Sequence, residues 1–304
     1  MDERPSVSAI VATHDRPAAL RRAVRAILTQ DYAGPVECVV VFDGAEPDDL
    51  SELTPETLDR SLVVIRNDHT PGLAGARNAG ADRAMGELLA FCDDDDEWLP
   101  GKLEAQAARL ASSGTQVAAG GIEVVYEDRR VTRRPPDVVT LEMLLGSRTT
   151  AVHPSTVVVA RETFFGPIGP VDEAIPGSYG EDYEWLLRAA AQGPIVTVAG
   201  PIARIHWGAS FFADRWRTIV EAITYLLTVH PELTRHRGNL ARLQGRVAFA
   251  HAALGERREA LRWAWRSMRT HPLEPRSYLA LAVAARVLRA ATIVDRANRT
   301  GRGV

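Results

Sequence analysis

The sequence predicts an α/β fold, with a mostly parallel sheet flanked by helices, followed by an all-α tail. Three observations carry that expectation. Apolar runs such as Val36–Phe42 are too continuously hydrophobic for a sheet with one wet face, so they read as strands covered on both sides. Amphipathic helical patterns alternate with these runs, as βαβ units require. From Phe211 onward the pattern is helical throughout and rich in Ala, Leu and Arg. We therefore divide the 304 residues into an α/β domain, 1–210, and a helical domain, 211–304. A hydrophobic content of 46% is enough to give each a core.

Residues 6–13 read as the first strand. His14-Asp15-Arg16-Pro17 follows, where Asp15 is placed to cap a helix that Pro17 opens. Leu20, Val24, Ile27 and Leu28 share one face of that helix. Val36–Phe42 is the second strand and ends in Asp43-Gly44; residues 62–65 are the third. Residues 71–80 form a small-residue loop running into a helix, where glycines allow close backbone approach to a ligand and Arg77 can reach a phosphate. The same glycines and alanines also suit tight packing of a helix on a sheet. Residues 88–92 are the fourth strand, 116–126 a fifth and 155–160 another, while 129–137, with Pro135-Pro136, reads as an exposed turn or loop. Residues 181–188 form a helix with Tyr183, Leu186, Leu187 and Ala190 inward and Glu181-Asp182 in its first turn, where acids routinely complement the helix dipole. Residues 195–198 and 202–205 close the domain at Arg204-Ile205-His206. In the tail, residues 241–274 resemble one tetratricopeptide unit, with Ala248, Gly255, Ala260 and Pro272 on its spacing, so a TPR-like helical hairpin is expected.

The fourth strand organises the rest because it stops at Asp93-Asp94-Asp95-Asp96. Four adjacent negative charges repel one another and cannot leave water unless something cationic neutralises them. Hard divalent ions such as Mg²⁺ or Mn²⁺ take oxygen ligands and use few protein carboxylates when substrate phosphates complete their shell. A solvated acidic loop is the plainer alternative. The position favours a ligand site, since open α/β sheets bind ligands beyond the carboxyl ends of their strands. A helix-loop-helix calcium site fits poorly, because Trp98 stands where that loop needs its sixth-position glycine.

Composition narrows the partners. The net charge of −3 conceals 19 basic and 32 acidic side chains in residues 1–210 against 17 and 7 in residues 211–304. An acidic first part suits a metal-dependent site, and an arginine-rich tail suits anionic lipid, an acidic acceptor or an ordinary solvated helical surface. No zinc-finger spacing or aromatic-studded RNA motif points to nucleic acid. No apolar run approaches the roughly 20 residues of a membrane span, and Met1-Asp2-Glu3-Arg4-Pro5 does not open like a signal peptide, so a cytoplasmic protein is expected. Cys38 and Cys92 lie inside apolar runs and read as buried free thiols.

Taken together, residues 6–210 resemble family 2 glycosyltransferases of the nucleotide-diphosphosugar transferase (GT-A) fold. The segment 7–17 is similar to that family's opening strand and nucleotide loop, and Asp43-Gly44-Ala45 to its Asp-Asp-Gly-Ser turn. Ala76-Arg77-Asn78, the aspartate run as an Asp-x-Asp-Asp motif, Val171-Asp172-Glu173, Gly180-Glu181-Asp182, Arg188 and Arg204-x-His206 follow in the family's order. The resemblance implies an inverting, metal-dependent transfer of one sugar from a nucleoside diphosphate, commonly UDP, to an acceptor hydroxyl on a glycan, a lipid-linked carrier or a peptide. It implies donor contacts at Thr13, Asp15, Asp43, Arg77, Asp93, Asp94 and Arg204, and a Mn²⁺ or Mg²⁺ ion on Asp95 and His206. Glu181 and Ser155 would lie on the acceptor side, with Asp182 as the general base.

Rival readings fit less well. A sugar-nucleotide pyrophosphorylase needs a glycine-rich loop where His14-Asp15-Arg16-Pro17 stands, and a processive synthase needs membrane helices and a Gln-x-x-Arg-Trp motif where Phe212 precedes Arg215-Trp216. A silent adaptor with a partner-binding tail would have no use for Asp93, Asp95, Asp182 and His206 together. For the tail, a dimerisation surface, a basic patch at the inner face of the membrane and an acceptor platform all stay open.

Overall fold

Strand β1 (Val7–Thr13) is buried along its whole length, and so is all but one residue of β2 (Val36–Phe42), because helices cover both faces of the sheet they share. The computed structural model describes residues 4–54, 57–126, 129–148, 151–207 and 215–299. Helix α1 (Pro17–Leu28) joins β1 to β2; β3 (Arg60–Arg66), α2 (Leu73–Arg83), β4 (Leu88–Asp93), β5 (Glu97–Trp98) and α3 (Lys102–Ser113) follow. Then come β6 (Val117–Tyr126), β7 (Arg129–Arg133), β8 (Val138–Val139), α4 (Leu141–Gly146), β9 (Val158–Ala160) and the single turn α5 (Arg161–Thr163), before α6 (Glu181–Gln192) and β10 (Ile195–His206).

The strand order is β3-β2-β1-β4-β9-β6-β10-β5, with β7 paired to β6 and β8 to β10. The first four strands are parallel, as expected. Beyond them the sheet is mixed: β9 runs antiparallel to both β4 and β6, β10 parallel to β6, and β5 antiparallel to β10. On one face, Leu20, Val24 and Ile27 of α1 and Leu103 of α3 pack with Val7, Ala9, Val11, Cys38 and Val40. On the other, Ala76 and Ala79 of α2 pack with Ala12, Val39 and Val41. The small residues of α2 are explained here, since a Cβ on Gly80 would lie 2.5 Å from Ile10 Cγ2. Both cysteines are buried and free.

Three local readings change. Residues 129–133 form strand β7 rather than loop, because the register Val124↔Val131 supplies a ladder that exposed, charged side chains did not announce. Arg16, not Asp15, occupies the N-cap of α1 and makes no side-chain cap, although Pro17 opens the helix as expected. The two apolar runs at 195–205 are one strand, bulged where the register shifts around Pro201.

The chain divides into two compact units, one of Met1–Leu144, Thr149–Glu173 and Glu181–Trp207, the other of Leu145–Arg148, Ala174–Gly180 and Gly208–Val304. The boundary expected at 210 and Phe212 lie within 208–214, outside the described residues. The second unit contains α7 (Trp216–Val229), α8 (Arg237–Ala253), α9 (Arg257–Thr270), α10 (Pro275–Ala284) and α11 (Ala290–Arg299). Ala248, Phe249, Ala252, Ala260, Ala264 and Ala280 belong to its core, and the small side chains of the five alanines let α8, α9 and α10 approach closely. Among the described residues no helix is long and apolar enough to cross a membrane.

Lys102 is an anomaly in the first unit. Its side chain is wholly buried, donates from Nζ to Gln106 Oε1 at 2.6 Å and lies 4.0 Å over the Trp98 ring. Burial pushes its pKa down from 10.5 to about 7. A lysine whose folded pKa is depressed binds fewer protons folded than unfolded, so stability rises as pH climbs from about 7 towards 10.5. Below about 7 both states hold the proton and the penalty is complete. Lys102→Met is expected to raise stability at pH 7 by at least about 1 kcal/mol, roughly 2–4 °C in Tm, and to remove part of that alkaline rise. Thermal melts across this pH range in which the variant is the less stable protein would contradict this account.

Candidate active site

The polar end of β4 receives groups from four other parts of the first unit. The aspartates of the run share a small set of partners, Arg77, Thr13, Arg16 and Ser155. Asp93 accepts from Arg77 Nη2 at 2.7 Å, and its backbone N–H donates to Ser155 Oγ at 3.0 Å. Asp94 accepts from Thr13 Oγ1 at 2.7 Å and Arg16 Nη1 at 3.0 Å. Asp95 accepts from the same Arg16 Nη1 at 2.6 Å. Asp96 is buried and accepts from the Ser155 hydroxyl.

Electrostatics rank the four. Burial would raise Asp93, but Arg77, with His153 behind it, outweighs that and holds its pKa below the ordinary value. Burial raises Asp94 despite Thr13 and Arg16. Burial and the neighbouring Asp93 push Asp95 up to about 6, with Arg16 working against them, and push Asp96 well above its usual range. Burial and mutual repulsion thus disfavour the ionised forms of Asp94, Asp95 and Asp96, and a cation placed among them would favour ionisation.

Arg77 joins the aspartates to α6. It is buried, and while Nη2 holds Asp93, Nη1 pairs with Glu181 in the first turn of α6. Asp182 adds to the field on Arg77. Burial raises Glu181 to about 7, with Arg77 opposing and Asp182 adding to the rise. Asp182 Oδ1 accepts the Tyr183 N–H at 2.8 Å. The structure thus brings Thr13, Arg77, Asp93, Asp94, Asp95, Ser155, Glu181 and Asp182 into one neighbourhood.

The remaining predicted site residues stand differently. Asp43 accepts from Asn67 Nδ2 at 2.7 Å and the Gly72 N–H at 3.0 Å, tying down the approach to α2. Asp15 is exposed. Arg204 donates from Nε to Glu123 at 2.6 Å, and His206 Nε2 lies 2.8 Å from Glu97 Oε1, although the His206 backbone reaches Asp96. Glu173 accepts from Asn78 Nδ2 at 2.7 Å and the Thr70 N–H at 3.0 Å, and Arg188 pairs with Glu184 and caps carbonyls 168–170, so both hold loops around the site.

Sequence reading missed Arg16 and His153 and gave Asp96 no role of its own within the aspartate run. Asp93, Asp96 and His153 offer ligand atoms within 4.8 Å of one another and form a group able to hold a metal ion. His153 Nδ1 is 3.4 Å from Asp96 and Nε2 4.0 Å from Asp93. The only signal for His153 was its place two residues before Ser155; its reach depends on β9 pairing with β4, which local pattern does not encode.

The model of the family described as Glycosyl transferase family 2 matches residues 8–166. The chain belongs to this family. It is similar to the succinoglycan biosynthesis protein ExoO of Rhizobium meliloti (strain 1021), 31% identical over 225 residues that cover 69% of this chain and 63% of that protein. It thus spans less than two thirds of ExoO. A second relative, the UDP-Glc:alpha-D-GlcNAc-diphosphoundecaprenol beta-1,3-glucosyltransferase WfaP of Escherichia coli, is 31% identical over 228 residues, covering 73% of this chain and 86% of WfaP. The crystal structure of S. aureus TarS 1-349 in complex with UDP-GlcNAc shares the fold, with a TM-score of 0.62 at 18% identity over 98% of this chain and 92% of that one. The GT-A expectation is therefore met, with a helical region following the mixed sheet.

Removing Arg77 leaves buried Glu181 and partly buried Asp93 without their shared cation. Arg77→Met is expected to cost about 3–5 kcal/mol at pH 7.5, with a smaller deficit at pH 5.5, where the abandoned carboxyls take up protons. Urea unfolding at the two pH values tests this; a loss below about 1 kcal/mol would show that the pair is not structural.

Proposed function

We propose that this glycosyltransferase moves one sugar from a UDP-sugar to a hydroxyl of a lipid-linked acceptor, with inversion, in the α/β domain read from sequence as residues 1–210. The observation that carries the reading is the buried Arg77, which holds Asp93 of the donor-side cluster and Glu181 of the acceptor-side pair on one guanidinium. Two functions meeting through one cation is what a single displacement between donor and acceptor needs. The donor class is supported by WfaP, whose name gives UDP-Glc, and by TarS, crystallised with UDP and with UDP-GlcNAc. The acceptor class is supported by WfaP and by the similarly named WfgD of Escherichia coli, 28% identical over 182 residues. The working location is the cytoplasm, at the inner face of the membrane where such acceptors are presented.

The donor set fits Mn²⁺ or Mg²⁺: the carboxylates of Asp93 and Asp96 offer hard oxygens, with the His153 imidazole in reach. Asp95 and His206 would hold the ion, as the family resemblance implies, or else Asp93 and Asp96 with His153, whose ligand atoms converge. When bound, the ion stabilises negative charge on the departing diphosphate. The chain's own residues do the rest. Thr13, Asp43, Asp93 and Asp94 bind and orient the nucleotide, and Asp15, Arg77 and Arg204 border it. Ser155 keeps Asp93 and Asp96 in register. Glu181, fixed by Arg77, sets the first turn of α6 so that Asp182 faces the acceptor. As the acceptor oxygen bonds to the anomeric carbon, Asp182 takes its proton and the bond from that carbon to the diphosphate oxygen breaks.

Asp182→Asn is expected to lower kcat by about 10²–10⁴-fold with UDP affinity nearly unchanged, while Asp95→Ala weakens metal-dependent UDP binding. Calorimetry and turnover on the same preparations test the division; equal loss of UDP binding in both variants contradicts these roles. EDTA is expected to stop transfer and Mn²⁺ or Mg²⁺ to restore it. Full turnover in EDTA would remove the metal from the scheme.

A further inference from the structure

Helix α9 separates two chemistries. Ala260, Ala264 and Ser267 are fully buried, so its packing side is already filled. Its outward side presents Arg258, Leu261, Arg262, Trp265 and Arg269 at helical spacing. Trp265 is 55% and Leu261 43% exposed, and the Arg269 guanidinium lies 4.5 Å over the Trp265 ring. Glu259 is the one carboxylate on the helix, and it pairs with Arg262 at 3.1 Å. Arg258 borders Glu256 and Glu259 at the start of the helix, and Arg269 is exposed in its last turn.

Solvation accounts for the arginines but not for the indole and isobutyl groups standing in water among them. A helix that places Trp and Leu beside a ridge of arginine matches a bilayer interface, where the ring sits among headgroups and guanidinium groups meet lipid phosphates. A second copy of the chain is a poor occupant, since a symmetric contact would set two arginine ridges against each other. We propose that the outward face of α9 docks on an anionic lipid bilayer, Trp265 and Leu261 entering the headgroup layer and Arg258, Arg262 and Arg269 binding lipid phosphate. This deepens the lipid-linked reading of the acceptor, because a docked enzyme meets that acceptor in two dimensions.

The experiment is sedimentation of the full chain with vesicles of phosphatidylcholine alone or mixed with phosphatidylglycerol. The wild type is expected to sediment with the mixed vesicles only, and less so as salt rises. The pair Arg258→Glu and Arg262→Glu is expected to weaken binding by at least about 25-fold, roughly fivefold per arginine removed. The pair Leu261→Ser and Trp265→Ser is expected to weaken it by about tenfold or more. Both double variants should keep the wild-type melting temperature and rate of UDP-sugar hydrolysis. Failure of the wild type to sediment with mixed vesicles overturns the proposal. So do variants that bind like the wild type, or light scattering that shows a dimer which Trp265→Ser dissociates. Vesicle binding by a chain that hydrolyses no donor would support the docking and count against the catalytic reading alone.

Discussion

Negative charge confined at the end of a buried strand is the constraint on which the first unit depends. Asp93, Asp94, Asp95 and Asp96 stand on consecutive residues, and burial alone would make each of them costly. The fold answers by giving them a small set of partners: Arg77 from α2, Thr13 and Arg16 from the end of β1, and Ser155 from the turn before β9. That answer is incomplete, since Asp95 and Asp96 remain pushed above the ordinary carboxylate range. A carboxylate cluster whose ionisation a cation would favour is where a divalent ion and a diphosphate fit together.

Arg77 shows how packing and chemistry share one residue. It lies on a helix of small residues that comes close enough to the sheet for its guanidinium to be buried between Asp93 and Glu181. Those small residues are thus what allows the cation to sit beneath the site, and Glu181 in turn fixes the start of α6 beside Asp182. The loops converging there have their own ties, Asp43 to Gly72 and Glu173 to Asn78.

Much of this was legible in the sequence, for identifiable reasons. Strands β1 to β4 are apolar runs that pair parallel with one another, so their pattern and their polar ends mark the sheet edge directly. Glu181-Asp182 and the aspartate run were visible as charge set against apolar context. His153 and Arg16 were not, because their approach to the aspartates depends on the antiparallel entry of β9 beside β4 and on the bend after β1. Strand β7 escaped notice because its order comes from pairing with β6 and not from its arginines. Arg77 was read as a phosphate contact; its burial between carboxylates follows from how closely α2 approaches, which composition suggests but does not measure.

The central claim is that the aspartate cluster and Asp182 face one cavity in which a divalent ion meets a nucleoside diphosphate. The most direct measurement is anomalous diffraction from crystals grown with UDP and Mn²⁺. The account predicts an anomalous peak against the carboxylates of residues 93–96, in contact with the UDP diphosphate and with Asp182 opening onto the same cavity. UDP bound with no metal at these carboxylates, or with Asp182 turned into a separate surface, would contradict it.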